Sequence, residues 1–179
     1  MATIDLIVLG MLKAQPQSAY ELQKNVEYRH VDRWVKVSTP SIYKKVVQLE
    51  EKKYIQGEIV RVGKMPEKTI YQITEAGEKY FLNLMEAASG QLIKVLLDFN
   101  AVIMSLDLVA EGERQKLTDQ IQVGITEWKD TLAMKQEERG HVPMTGQTIL
   151  RQQYYIAEAL DKWIKEFQEE YFTGGKENA

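Results

Sequence analysis

The sequence predicts a mainly α-helical (α+β) protein, with three short helices and a two-stranded hairpin followed by helices alone. Three observations support this fold class. Apolar residues recur every three or four positions through most of the 179 residues, which is typical of amphipathic helices. The pattern changes to extended, β-branched segments only between about residues 55 and 74. After residue 88 the helical pattern returns without further strand signals.

Composition limits the possible function classes. The chain contains no cysteine, which excludes a disulfide framework and thiolate metal sites. No basic region precedes the apolar stretch Leu6–Leu12, which is far shorter than the ~20 residues of a membrane span, so we expect a cytoplasmic protein. The formal net charge is −3, but it is unevenly distributed. Residues 1–74 hold 12 Lys and Arg against 8 Asp and Glu, whereas residues 75–179 hold 11 against 18.

The first two helices have clear starts. Thr3 can cap a helix that runs to Lys13 with a broad apolar face. Ser18 and Glu21 have the spacing of a capping box, so a second helix is predicted to begin there and to run to about Arg29. Trp34, in the loop that follows, can be a core residue, an interface residue or a ligand contact.

The third helix is the segment on which the functional prediction depends. Thr39 can cap it and Pro40 suits its first position, while one apolar stripe faces inward. Its other faces hold small hydroxyl, lysine and glutamine side chains near the N-terminus, which suit contacts with phosphates and base edges in a major groove. The alternative is an ordinary solvated amphipathic helix. The inward residues are Ile42, Val46 and Leu49, and the polar residues are Ser41, Lys44, Lys45 and Gln48.

A hairpin follows this helix. Residues 55–62 and 68–74 are predicted strands, and Gly63–Glu67 is the loop between them. Thr74 then begins a fourth helix. Three helices followed by such a hairpin have the order of a winged helix-turn-helix, in which the third helix enters the major groove of DNA. Because winged helices also bind proteins, the fold alone does not establish DNA binding.

Residues 1–77 resemble the PadR family of bacterial transcriptional regulators. Four segments carry the resemblance in the right order: Gly10-Met11-Leu12, Ser18-Ala19-Tyr20-Glu21-Leu22, Ser41-Ile42-Tyr43 with Leu49-Glu50 and Tyr54-Ile55, and Tyr71-Gln72-Ile73-Thr74-Glu75-Ala76-Gly77. The resemblance implies contacts with double-stranded DNA from the second and third helices and the wing. The implied DNA-binding residues are Tyr20, Ser38, Thr39, Ser41, Tyr43, Lys44, Lys45, Gln48, Lys64 and Lys68.

The sequence departs from the family pattern at two places. Many members have a basic pair just before the tyrosine that ends the wing, where this chain has Thr69-Ile70. The phenolic-acid-sensing branch usually has a histidine at the position of Thr39.

The second part of the chain is predicted to be a helical dimerisation domain. We place the boundary between residues 1–88, the winged helix-turn-helix DNA-binding domain, and residues 89–179, a dimerisation and possible effector-binding domain. Helices are predicted from Gln91 to Leu106, from about Glu111 to Gly140, and from about Gln147 to Phe172. The two long helices carry apolar stripes too wide for one partner, which predicts a homodimer. The interface residues are Leu117, Ile121, Ile156, Leu160, Trp163 and Phe167.

The sequence therefore predicts a homodimeric transcriptional repressor that a small-molecule effector releases from its operator. The effector is expected between the two domains, near Trp34, Phe99, Trp128, Tyr154 and Tyr155, although each of these residues can instead belong to a core. No cofactor and no metal is expected, because the two histidines lack neighbouring ligands. No serine has a nucleophile-elbow context, so the chain is not predicted to be an enzyme. The alternatives are a winged-helix scaffold that binds protein and a ligand sensor that acts without DNA.

Overall fold

The computed structural model describes residues 3–61, 67–138 and 142–173, and it divides into two compact units, residues 1–93 and 94–179. The predicted boundary, between residues 88 and 89, falls at the end of the last helix of the first unit. The first unit contains α1 (Thr3–Ala14), α2 (Ala19–Tyr28), a 3-10 turn (Val31–Arg33), α3 (Ser41–Glu51), β1 (Ile55–Val60), β2 (Lys68–Ile73) and α4 (Glu75–Ser89). The second contains α5 (Asn100–Ser105), a 3-10 turn (Leu106–Leu108), α6 (Glu111–Glu138) and α7 (Met144–Thr173). The predicted fold class is confirmed.

The first unit is built on an apolar core shared by its first three helices. The inward stripe of α3 is buried as predicted, and it packs with buried residues of α1 and α2. Helix α2 begins with the predicted capping box, in which Glu21 accepts hydrogen bonds from the Ser18 amide and hydroxyl at 2.7 and 2.8 Å. The buried residues of this core include Val8, Leu9, Leu22, Val26, Ile42, Val46 and Leu49.

Helix α3 starts differently from the prediction. The Thr39 side chain does not cap it; the amides of Ser41 and Ile42 donate instead to the carbonyls of Ser38 and Thr39, at 2.9 and 3.1 Å. A tight turn through Pro40 thus leads into the helix. Its carbonyls accept the hydrogen bonds of two amides that a capping side chain would otherwise have to satisfy.

The wing is joined to the helices by a backbone bridge that the sequence did not indicate. The two strands are antiparallel, with Ile55 opposite Ile73 and Val60 opposite Lys68. Gln17, which lies buried between α1 and α2, exchanges backbone hydrogen bonds of 3.1 and 3.0 Å with Tyr71 of β2. Its side chain donates to the Met11 carbonyl at 3.0 Å. One residue therefore connects the end of α1 to the wing.

The second unit contains an antiparallel helical hairpin. Cross-helix hydrogen bonds join Thr126 and Lys129 to Asp161 and Gln168 to Asp119, which sets the antiparallel direction of α6 and α7. The buried seam differs from the predicted stripes, because Asp161 and Thr118 lie within it. Lys129 and Lys165 donate to Asp161 and lower the pKa of its carboxyl. The seam consists of Thr118, Ile125 and Leu132 from α6 and Ala157, Asp161 and Ile164 from α7.

The predicted helix from Gln91 to Leu106 is wrong over most of its length. Residues 92–97 form no helix, and only Asn100–Ser105 do. Leu92, Ile93 and Leu96 are largely exposed. A short helix is stable in water mainly when a partner covers its apolar face. A mainly apolar segment whose side chains stay exposed gains little from helix formation.

Gly77 allows α4 to approach the backbone that follows α3. We predict that Gly77→Ala destabilises the first unit by roughly 1–3 kcal/mol, because the added methyl group would overpack this contact. A Cβ at this position would lie 1.9 Å from the Tyr54 carbonyl oxygen. Urea unfolding measures the change. Gly112→Ala in α6 is the control, because a Cβ there would meet nothing within 4 Å apart from its own helix backbone, and its stability should equal or exceed that of the parent by about 0.5–1 kcal/mol. Equal stabilities of the two variants would contradict the close approach.

The charge of Glu21 should make stability depend on pH. Hydrogen bonds from the Ser18 amide and hydroxyl and from Lys68 lower the pKa of Glu21 from 4.5 to about 2. A depressed pKa stabilises the fold above pH 4.5, and this contribution is lost as the pH falls toward 2.

We expect Glu21→Gln, which keeps the side-chain shape, to lower stability at neutral pH. The difference in the free energy of unfolding between this variant and the parent should shrink as the pH falls from 4.5 to 2. Urea unfolding at several pH values measures this difference. A difference that stays constant down to pH 2 would show that the charge of Glu21 does not matter.

Candidate nucleic-acid interface

The outward face of α3 is exposed in the first unit. Tyr43 is 45% exposed and Val47 is 52% exposed, and Lys44 is exposed beside them. Ser41 and Gln48 are half-buried at the edges of this face. The opposite stripe is fully buried, so the helix cannot rotate without exposing its core residues.

The turn before α3 extends this face. Ser38 is exposed and Thr39 is half-buried, and both lie at the N-terminal end of the helix. The partial positive charge of a helix N-terminus favours anions, so phosphate oxygens are suitable ligands at this end.

Helix α2 places aromatic and basic side chains close to this face. The Lys24 ammonium lies 5.7 Å from the centre of the Tyr20 ring and 2.8 Å from the Glu27 carboxylate. Glu27, and to a smaller extent Tyr20 and Tyr43, raise the pKa of Lys24. Helices α2 and α3 pack against each other, and Tyr20 of α2 and Tyr43 of α3 are both exposed. Tyr28, at the end of α2, is also exposed, although it was not among the predicted DNA-binding residues.

The base of the wing is fastened to α2. Lys68 donates to Glu21 at 3.0 Å, and both side chains remain about half exposed. The Lys68 ammonium can therefore exchange this partner for a phosphate with little loss. Lys64 lies outside the described residues.

Lys45 points away from the outward face. Its Nζ lies 2.8 Å from Oδ1 of Asp5, at an angle that makes the contact an ion pair rather than a well-aligned hydrogen bond. Asp5 is 2% exposed, and Tyr80 of α4 donates to its other oxygen at 3.1 Å. Burial and the nearby carboxylate raise the pKa of Tyr80. Lys44 and Lys45 are neighbours in the sequence, but Lys44 is exposed on the outward face whereas Lys45 is paired with a buried carboxylate.

The predicted effector residues fall into separate groups. Trp34 belongs to the first unit and is 39% exposed. In the second unit Phe99 stacks on Trp163, and Phe167 and Tyr171 extend the stack, with ring centres 5.2–5.8 Å apart. Tyr154 and Tyr155 meet edge to face at 6.4 Å, and Trp128 is half-buried on α6. Phe99, a predicted effector residue, therefore lies against Trp163, a predicted dimer residue.

The predicted dimer residues flank the seam of the helical hairpin. All six are half-buried within the single chain, next to the fully buried positions. An apolar side chain that its own chain covers only in part can gain further burial against a partner. These residues are Leu117, Ile121, Ile156, Leu160, Trp163 and Phe167.

Other kinds of site find no support in the part of the chain that the structure describes. No three His, Asp or Glu side chains there come together to hold a metal ion. Nor does any described helix have the length and apolarity needed to cross a membrane.

Similar structures share the fold of this chain. Bacillus subtilis PadR in complex with operator DNA has a TM-score of 0.78 and 15% sequence identity, with 92% of this chain and 97% of that chain covered. The same protein in complex with p-coumaric acid has a TM-score of 0.77 and 16% identity over 92% and 95%. The PadR-like transcriptional regulator BC1756 from Bacillus cereus has a TM-score of 0.68 and 22% identity over 93% and 96%.

The sequence comparison agrees with the fold. No curated protein sequence matches this chain. The model of the transcriptional regulator PadR-like family matches residues 8–83, which span the helices and the wing of the first unit. That family consists of transcriptional regulators rather than enzymes. Over residues 8–83, which form most of this winged-helix unit, the chain is therefore similar to the transcriptional regulator PadR-like family.

Proposed function

We propose that this chain is a DNA-binding transcriptional repressor of the cytoplasm that acts as a homodimer and leaves its operator when a small molecule binds. The exposed face of α3, with Tyr43 and Lys44 near its N-terminus, is the observation that carries the proposal. In helix-turn-helix proteins the N-terminal residues of the corresponding helix contact base edges. Buried residues fix the opposite face of α3, so the reading face is presented in one orientation.

The proposed contacts have two roles. Ser41, Tyr43 and Gln48 are suited to base edges, because hydroxyl and amide groups can hydrogen-bond there. Lys44 and Lys68 supply positive charge for phosphates, which gives affinity without sequence information. Lys45 is left out of the set because its ammonium is paired with Asp5. The remaining proposed contacts are Tyr20, Ser38 and Thr39, with Lys64 from the predicted wing loop.

The half-buried apolar residues of α6 and α7 support the homodimer. Two copies of one reading helix can contact two half-sites about one helical turn of DNA apart. The exposed Leu92, Ile93 and Leu96 add apolar surface that a partner subunit can cover. Burial of this surface in a dimer would reduce contact with water.

The effector is proposed to bind aromatic side chains. Phe99, Trp128, Tyr154 and Tyr155 provide such surface in the second unit, and Trp34 provides it in the first. A molecule that releases DNA must bind the DNA-incompetent state more tightly than the DNA-competent state. Aromatic acids are a reasonable first set of compounds, since p-coumaric acid is bound in the similar B. subtilis structure.

The decisive experiment is binding of the purified protein to fragments of its own upstream region and to a random DNA library, with non-specific competitor at two salt concentrations. Protection of a two-fold site of about two helical turns is the expected result. A folded protein that selects no sequence from the library would overturn the proposal and favour a protein-binding scaffold. The selected fragment then serves to screen aromatic acids for release.

Neighbouring lysines of α3 should behave differently when each is changed to alanine. Lys44→Ala removes a phosphate contact, so the slope of log K against log salt should fall by about 0.9 per subunit while stability stays unchanged. Lys45→Ala leaves the Asp5 carboxylate without its cation, and it should destabilise the protein by about 3 kcal/mol, because Lys45 is not fully buried. Salt titration and urea unfolding measure the two effects. The reverse assignment, with Lys45 changing the slope and Lys44 the stability, would contradict this placement.

Trp163→Ala tests the dimer interface. Aromatic residues at the centre of an interface contribute about 2 kcal/mol or more, and a two-fold dimer holds two copies of Trp163, so we expect dimer dissociation to become easier by roughly 1,000-fold. Analytical ultracentrifugation over a concentration series measures this change. Lys162→Ala, at the exposed neighbouring position, is the control. A Trp163→Ala protein as dimeric as the control would remove Trp163 from the interface.

A further inference from the structure

One apolar side chain lies on the outward face of α3. With 3.6 residues per turn, Val47 projects about 130° away from the buried stripe, one turn after Tyr43 and about 60° from Lys44. It is 52% exposed and is not among the residues that form or line the core of the first unit. The neighbouring Val46 is 1% exposed. The two adjacent valines therefore have different environments, and only Val46 is explained by packing.

The chemistry of Val47 suits one group in the major groove. A valine side chain ends in two methyl groups, offers no hydrogen bond and has a stiff χ1 angle in a helix. The base edges of the major groove present donors and acceptors, except for the C5-methyl group of thymine. Contact with a polar edge would desolvate that edge without replacing its hydrogen bond to water, whereas contact with a methyl group buries apolar surface on both sides.

We propose that Val47 is a specificity-determining residue that reads the methyl group of a thymine in each half-site of the operator. This inference rests on the proposed function, and it adds the identity of one base to it. Lys44 on one side and Tyr43 on the other would hold the helix against the DNA while Val47 makes the apolar contact. The two-fold symmetry of a homodimer would place the thymine at equivalent positions of the two half-sites.

The test replaces thymine by uracil, which pairs with adenine in the same way but lacks the methyl group. Each thymine of the selected operator is replaced in both half-sites at once, and the affinity of the parent and of Val47→Ala is measured. Loss of about one buried methyl contact should weaken binding roughly fourfold per half-site, and so about 15-fold in the symmetric operator. We expect one position at which the parent shows this loss and Val47→Ala shows less than a twofold loss.

A matched valine provides the control. Val123 on α6 is 55% exposed, like Val47, but it belongs to the second unit. Val123→Ala should therefore discriminate thymine from uracil as the parent does. Thermal unfolding of Val47→Ala should match the parent, since the side chain lies outside the core.

The outcomes separate this inference from the proposed function. If the parent binds a selected operator but Val47→Ala keeps the same preference for thymine at every position, Val47 is not the reader while the DNA-binding function stands. The same holds if uracil weakens the parent at no position. If the parent selects no DNA sequence at all, both the function and the role of Val47 are overturned.

Discussion

The arrangement of the first unit depends on a buried carboxylate. Asp5 of α1 is paired with Lys45 of α3 and accepts a hydrogen bond from Tyr80 of α4. A buried charge without partners is costly, so each of these helices must present its partner at the correct place. The orientation of the outward face of α3 is thereby fixed, because Lys45 pairs with the buried carboxylate while the neighbouring Lys44 stays exposed.

Local signals explain which parts of the fold could be predicted from the sequence. The capping box at Ser18 and Glu21, the inward stripe of α3 and the two strands each depend on residues within a few positions of one another. The direction of Lys45 depends on Asp5, forty positions earlier, and helical spacing alone places Lys45 at the border of the polar face. The bridge between Gln17 and Tyr71 is likewise a contact between distant segments. Such pairings leave no periodic signal in one sequence.

In the candidate site, too, some residues were predicted from the sequence and others were not. Tyr20, Tyr43 and Lys44 are exposed as a reading surface requires, and their positions follow from helix period and family resemblance. Val47 was given no role from the sequence, which assigned only Ile42, Val46 and Leu49 to the core. A helical wheel centred on Ile42 and Leu49 would have placed it beside Tyr43. The segment from Leu92 to Leu97 was predicted as a helix from its apolar pattern, but Leu92, Ile93 and Leu96 remain largely exposed, and a pattern in one sequence does not say which surface covers it.

The pairing of Lys45 with Asp5 also affects how such a protein would search a chromosome. Residence on random DNA grows with the number of phosphate contacts, and of the two lysines of α3 one is paired with Asp5. Each encounter with an unrelated sequence would therefore be brief, and many sites would be sampled in a given time. Recognition would then depend on base contacts made by both subunits together, so that a single half-site retains the protein only weakly.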